Sequence, residues 1–278
     1  MPTSAKMSSP LPPTAPLVDA SGPVSPPETA PLQAWANQEL HEKVIDVGTG
    51  TGIWAIDFAD EYPEAVVIGF DLSPIQPIWV PPNVKFLVDD FNAEWLYGDD
   101  NDYVHLRTLV GCVTDWTSLF SKAYASLKPG GWVESCDNNG GYQSDDGSLT
   151  KNMALYQYKH IFIEAFEKMG FEARTMIVDE NIQRKAIEEA GFINIHEKII
   201  KVPTSEWSDD PKLKEIGTFT RVAHQDVEGL VGLCATELGW SKEEIMVYAA
   251  NMRKELRNPS IHSYILAKVV WAQKPHSK

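Results

Sequence analysis

Cysteine is scarce: three residues in 278, at positions 112, 136 and 234, with no CxxC pair among them. An odd, scattered set excludes a disulfide framework and a cysteine-built metal finger, and it fits a reducing compartment, cytoplasmic or nuclear. Long apolar runs are missing as well. The stretch from Tyr264 to Ala272 is cut by Lys268 and falls well short of the ~18 residues of a membrane span. The opening residues carry neither the apolar core of a signal peptide nor the arginines of a transit peptide. Basic residues are in deficit, 24 Lys and Arg against 39 Asp and Glu, for a net charge of −15. Nucleic acid and anionic membrane both need a cationic face, so neither is an expected partner. A small anionic substrate held by one or two local Arg or His residues stays compatible. The seven histidines show no ligand spacing with cysteines or carboxylates, so no metal is expected.

What is present is core material. Apolar residues make up 43% of a chain long enough for one large α/β domain or two smaller ones. Residues 1–31 contain nine prolines among Ser, Thr and Ala, and are read as a disordered or polyproline arm. Residues 32–278 are read as the folded domain. A helix is expected over 32–42, strands over 43–47, 65–71, 84–88, 103–106 and 132–136, and helices over 53–61 and 116–127. Lys128-Pro129-Gly130-Gly131 reads as a turn. This alternation implies a mostly parallel sheet with crossover helices. Further on, helices are expected over 150–169 and 178–190, a strand over 193–202, and mainly helix over 209–257. That last run breaks at Gly239-Trp240-Ser241, where Ser241 can cap a helix beginning at Lys242. A closing strand spans 261–273. The expected plan is seven strands, the last two antiparallel, with residues 203–260 inserted as a helical cap.

The strongest chemical signal is Val44-Ile45-Asp46-Val47-Gly48-Thr49-Gly50-Thr51-Gly52-Ile53-Trp54. A strand enters a glycine-rich turn that opens a helix, which lets backbone approach a ligand at a helix N-terminus. Nineteen positions after Gly52 the next strand ends in Asp71, placed to accept from a ribose diol, with Leu72 beside it. The spacing is G-x-G-x-G rather than the G-x-G-x-x-G of dinucleotide sites. Asp46 just before the loop suits a ligand bearing a cation, such as the amino group of S-adenosylmethionine. An NAD oxidoreductase and a bare structural turn are the competing readings. Gly48, Thr49, Gly50 and Gly52 are the loop's candidate contacts. The third strand ends in Asp89-Asp90-Phe91, where Asp90, chosen over Asp89, can accept from the adenine amino group and Phe91 can cover the ring.

These residues carry a resemblance. Val44 to Asp60, Phe70-Asp71-Leu72-Ser73-Pro74-Ile75-Gln76-Pro77, Trp79-Val80-Pro81-Pro82-Asn83-Val84 and Leu127 to Glu134 look like LaeA-like class I methyltransferases, fungal enzymes and regulators tied to secondary metabolism. The similarity continues at Ser144 to Leu149 and at Leu238-Gly239-Trp240-Ser241, covering about residues 43–275. It implies a Rossmann-like sheet binding S-adenosylmethionine, with Gly48, Gly50 and Gly52 at the methionine portion and Asp71 at the ribose. Family members usually carry a longer helical segment before the first strand. Here about 32–42 is available, so Trp35 and its neighbours form a reduced lid or the pocket is more open.

For chemistry, ligands in open α/β sheets bind beyond the carboxyl ends of the strands. The fourth strand brings His105 and Arg107 to that edge on one face. Arg107 is the leading clamp for a carboxylate acceptor, with a structural ion pair as the competing role; His105 is a base or a packing histidine. Glu134 or Asp137 reaches the same edge on the fifth strand, for structural hydrogen bonds with catalysis as the competing role. In the insertion, Arg221 and His224 lie three residues apart as a further cationic pair, for acid binding or as an exposed stripe. The expected function is O-methylation of a small molecule, an organic acid among the options, with a homodimer left open. The alternative is a LaeA-like regulator that methylates or binds a protein.

Overall fold

Val44, Ile45 and Val47 are β-branched, fully buried and flanked by a glycine turn, and residues Lys43–Val47 form β1 at the middle of the sheet. The computed structural model describes residues 43–169 and 176–276. The Pro-rich arm and the helix expected over 32–42, Trp35 included, lie outside the described residues. After β1 come α1 (Ile53–Glu61), β2 (Val66–Asp71), β3 (Val84–Val88), β4 (Asn101–Arg107) and α2 (Trp116–Ser126). Then follow β5 (Leu127–Gln143), α3 (Ala154–Lys168), α4 (Ile182–Glu189) and β6 (Ile193–Pro203). Three helices, α5 (Pro211–Ala223), α6 (Val227–Glu237) and α7 (Lys242–Leu256), precede β7 (Tyr264–Gln273).

The strand order is β3-β2-β1-β4-β5-β7-β6. The β1–β2, β2–β3, β1–β4 and β4–β5 pairs are parallel, and β7 runs antiparallel to both β5 and β6. A Rossmann-like α/β fold results. Its central strands β1 and β4 are buried on both faces along nearly their whole length, as crossover helices require. One hydrophobic cluster joins the sheet to Trp116, Leu119 and Phe120 of α2 and Ile182, Ala186 and Ile187 of α4. A second joins Tyr142 of β5 to apolar faces of α3, α6 and α7.

Two expectations need correction. The fifth strand runs from 127 to 143 rather than 132 to 136. Its Gly- and Asn-rich continuation bulges between Asn138 and Tyr142, and pairing with β7 resumes at Tyr142 opposite Ile265 and Gln143 opposite Tyr264. Lys128 to Gly131 accordingly belongs to the strand, where Gly130 takes φ +86° and leaves room for the His276 ring. The helical run of 209–257 has a second break at 224–226, where Asp226 caps α6 through the Gly229 amide.

Caps are supplied deliberately. Asp115 and Asp210 cap α2 and α5, while Glu255 of α7 caps α3 by accepting from the Ala154 and Leu155 amides, both at 2.9 Å. Ser241 and Glu244 form a reciprocal capping box on α7. Ser241→Ala should therefore cost about 1 kcal/mol. Urea denaturation would show it as a lower midpoint at constant slope, and an unchanged midpoint would mean the box contributes nothing. Among the described residues no helix is long and apolar enough to cross a membrane.

Candidate active site

The turn from β1 to α1 is built on three left-handed glycines, Gly48, Gly50 and Gly52, at φ +62°, +57° and +79°. Gly52 is tightly enclosed. A Cβ there would stand 2.3 Å from Cζ of Phe86 on β3. Gly50 is the opposite case, with nothing within 4 Å of where its Cβ would be, so backbone faces open space.

Two side chains brace this turn from the β2 side. Asp71 accepts from the Gly50 amide through Oδ2 and from the Ser73 amide through Oδ1, each at 2.9 Å. Gln76 donates to the carbonyls of Gly50 (2.6 Å) and Ser73 (2.9 Å), clasping the loop after β2 onto the glycine turn. Leu72 stays exposed.

On the β4 side lies a buried network. Asp46 and His105 are opposite one another in the β1–β4 register. Thr49 Oγ1 donates to Asp46 Oδ2 (2.5 Å), and His105 Nδ1 donates to Oδ1 (2.7 Å). The His105 ring lies flat on the Trp54 indole, with centroids 3.7 Å apart and 6° between planes. Two of the expected site residues meet in this network. Asp46 is 3% exposed, and its two oxygens accept from Thr49 and His105 at the border of the recess. His105, 2% exposed, is held between Asp46 and Trp54 and forms floor rather than rim.

Above this floor is a recess of about 260 Å³, bordered by Gly48, Gly50, Trp54, His105, Arg107 and Thr108. Arg107, at the end of β4, is exposed there and has no carboxylate partner among the described residues. By contrast Arg184, Arg221 and Arg253 are each paired with a glutamate. The structure thus brings Asp46, Gly48, Thr49, Gly50, His105 and Arg107 together around one recess.

It does not bring Arg221 and His224 there. Arg221 grips Glu206 through Nε and Nη2 at 2.5–3.1 Å, which neutralises the expected clamp. His224 ends α5, with Nδ1 on the Thr220 carbonyl at 2.7 Å and its ring edge-on to Tyr142. Phe91 also departs from expectation. It is 6% exposed in the core beneath the glycine turn, with Cε1 3.6 Å from the position of a Gly48 Cβ. The competing acids beside it are distinguished: Asp89 accepts from the Asp90 amide and from Tyr97 Oη, whereas Asp90 Oδ2 accepts no hydrogen bond among the described residues.

Beyond the recess, burial pushes the Glu134 carboxyl up, against the opposing pull of His105 and Tyr103. Burial pushes Asp137 up to about 6, although three backbone amides pull the other way. Among the described residues no group of three or more His, Cys, Asp or Glu is placed to hold a metal ion. Trp54, Gln76 and Thr108 were not singled out from the sequence. The alignment of Asp46 with His105 on adjacent strands is the signal that could have located the floor.

Residues 27–196 match a family described as a methyltransferase domain. The methyltransferase pytC of Aspergillus terreus is 39% identical over 84% of this chain and 72% of its own length. The chain belongs to this methyltransferase family. S-adenosylmethionine is the family's methyl donor. The secondary metabolism regulator LAE1 of Cochliobolus heterostrophus is 36% identical over 85% of this chain and 78% of its own. The fold is shared with phosphoethanolamine N-methyltransferase 2 of Haemonchus contortus, solved with S-adenosyl-L-methionine (TM-score 0.52, 20% identity, 89% of this chain and 52% of that one). The methyltransferase turn fits a nucleoside-bearing donor: bare backbone at Gly50, with the Asp71 carboxylate at its rim.

Proposed function

We propose that this methyltransferase acts on an oxygen of a small molecule, a carboxylate or hydroxyl, with S-adenosylmethionine as donor. The observation that carries the reading is Arg107, an arginine without an acid partner among the described residues, at a recess beside the glycine turn in a chain of net charge −15. Bound S-adenosylmethionine supplies a methyl group activated on a sulfonium. A carboxylate is ionised at neutral pH and needs no base, so the protein's work is to orient it and exclude water. Arg107 is suited to orienting it, because a guanidinium meets both oxygens of a carboxylate at once. Asp46 and His105 serve as positioning groups that hold Thr49 and Trp54. Asp71 and Asp90 are assigned to ribose and adenine. Residues 203–260, carrying α5, α6 and α7, are assigned as the cap on the acceptor side.

Arg107→Ala should raise KM for an acidic acceptor tenfold or more, at least about 1.4 kcal/mol, with a smaller change in kcat. An unchanged KM would remove Arg107 from the acceptor site. A second reading rests on the relatives. One of them, laeA of Emericella nidulans, is named a protein-methionine methyltransferase and is 32% identical. Incubating the pure protein with methyl-labelled S-adenosylmethionine and a fungal cell extract separates the two. Organic-soluble label released by mild base indicates a methyl ester and supports the carboxylate reading, and organic-soluble label stable to base indicates an ether or an amine, the amine overturning the assignment to oxygen. Label in protein puts the second reading first.

A further inference from the structure

Thr108 leaves β4 with φ +58°, a left-handed conformation that a β-branched residue adopts only when its surroundings impose it. The imposing group comes from the neighbouring strand. Asp137 on β5 is 2% exposed, and its Oδ2 accepts from the amides of Leu109 (2.7 Å) and Val110 (3.1 Å). Its Oδ1 accepts from its neighbour Asn138, and the Thr108 amide donates to the Cys136 carbonyl at 3.0 Å. The turn over 108–110 is therefore fastened to β5 at three successive amides. What it fastens matters. Thr108 borders the recess, and the Leu109 side chain is pressed against Gly48, with Cδ2 2.5 Å from where a Cβ would be.

We propose that Asp137 is a positioning residue for the cofactor: it locks the 108–110 turn so that Leu109 supports the glycine turn at Gly48 and Thr108 faces the recess. Asp137 does not border the recess itself and acts through these two neighbours. Both bonds to the turn go to a single oxygen, so an amide keeps them and gives up only the Oδ1 bond from the Asn138 amide.

The probe is S-adenosylhomocysteine, titrated calorimetrically into the full chain. Asp137→Ala should weaken binding tenfold or more, whereas Asp137→Asn should stay within about threefold. Adding Thr108→Gly to Asp137→Ala should recover most of the loss, because glycine takes a left-handed φ without being held there. Leu109→Ala, with Asp137 intact, should also weaken binding, and it remains informative if Asp137→Ala does not fold. Ile187→Ala, a core truncation on α4, should lower the melting temperature and leave affinity unchanged. Wild-type affinity in Asp137→Ala or in Leu109→Ala would overturn the proposal. So would equal losses in Asp137→Asn and Asp137→Ala, or an affinity loss in Ile187→Ala matching its loss of stability.

Discussion

Gly52→Ala is expected to destabilise the protein by about 3 kcal/mol and to abolish measurable cofactor binding. Two costs add. An L-residue at φ +79° costs about 1 kcal/mol or more relative to glycine. The new Cβ would also meet three Phe86 ring carbons, at 2.3, 2.8 and 3.0 Å. Overpacking of that kind typically costs about 1–3 kcal/mol, because the aromatic ring must shift within a packed surround. Gly52 also stands at the N-terminus of α1, so any accommodation displaces the turn itself. Gly50→Ala provides the contrast: a similar φ but open space at the Cβ, so stability should fall by only about 1 kcal/mol. Its methyl group would nevertheless project where the ligand is expected, and affinity should fall. Chemical denaturation with calorimetry on both variants checks this, and equal stability losses would refute the steric account.

The second large effect is expected at Asp71. Removing its carboxylate in Asp71→Ala deletes acceptors for the Gly50 and Ser73 amides, as well as the group assigned to the ribose. Hydrogen bonds to a charged partner contribute roughly 1.5–3 kcal/mol each, toward the lower end for a half-exposed group. A total near 3 kcal/mol corresponds to about a 100-fold loss in S-adenosylhomocysteine affinity. Gln76→Ala, which releases the clasp but spares the carboxylate, should cost about tenfold or less. A loss below threefold in Asp71→Ala would mean that neither the brace nor the ribose assignment matters for binding.

Periodicity carried much of the fold. The strand 84–88 and the helix 53–61 coincide with their expected bounds, since short β-branched runs and a glycine turn leave few alternatives. The failure at β5 is equally physical. Asn138 to Gly141 has low strand propensity, and the strand carries on past it because β7 pairs on both sides of the bulge, at Asn138 and again at Tyr142 and Gln143. At the site, residue types were legible while their partners were not. An acid before a glycine turn can meet a ligand or a neighbouring strand, and only the β1–β4 register shows that His105 stands opposite Asp46. Arg221 illustrates the same limit: nothing in its helical stripe announces Glu206, fifteen positions earlier in the segment leading to α5. Thr108 could not be seen at all, since strain of this kind is imposed by Asp137 from another strand.

The position of β7 has a consequence for the order in which the sheet is assembled. It is the last of the seven strands in sequence and yet lies between β5 and β6, with Trp271 opposite both Glu134 and His196. Until residues 264–273 are available, β5 has one edge without a partner and β6 has no partner at all, and β5 ends more than a hundred residues ahead of the strand that closes its edge. Loop-closure entropy over such separations makes this step slow, and unpaired edges are where chains associate wrongly. During synthesis the half of the sheet that holds β1 to β4 can pair early. The half that holds Asp137 in place must wait.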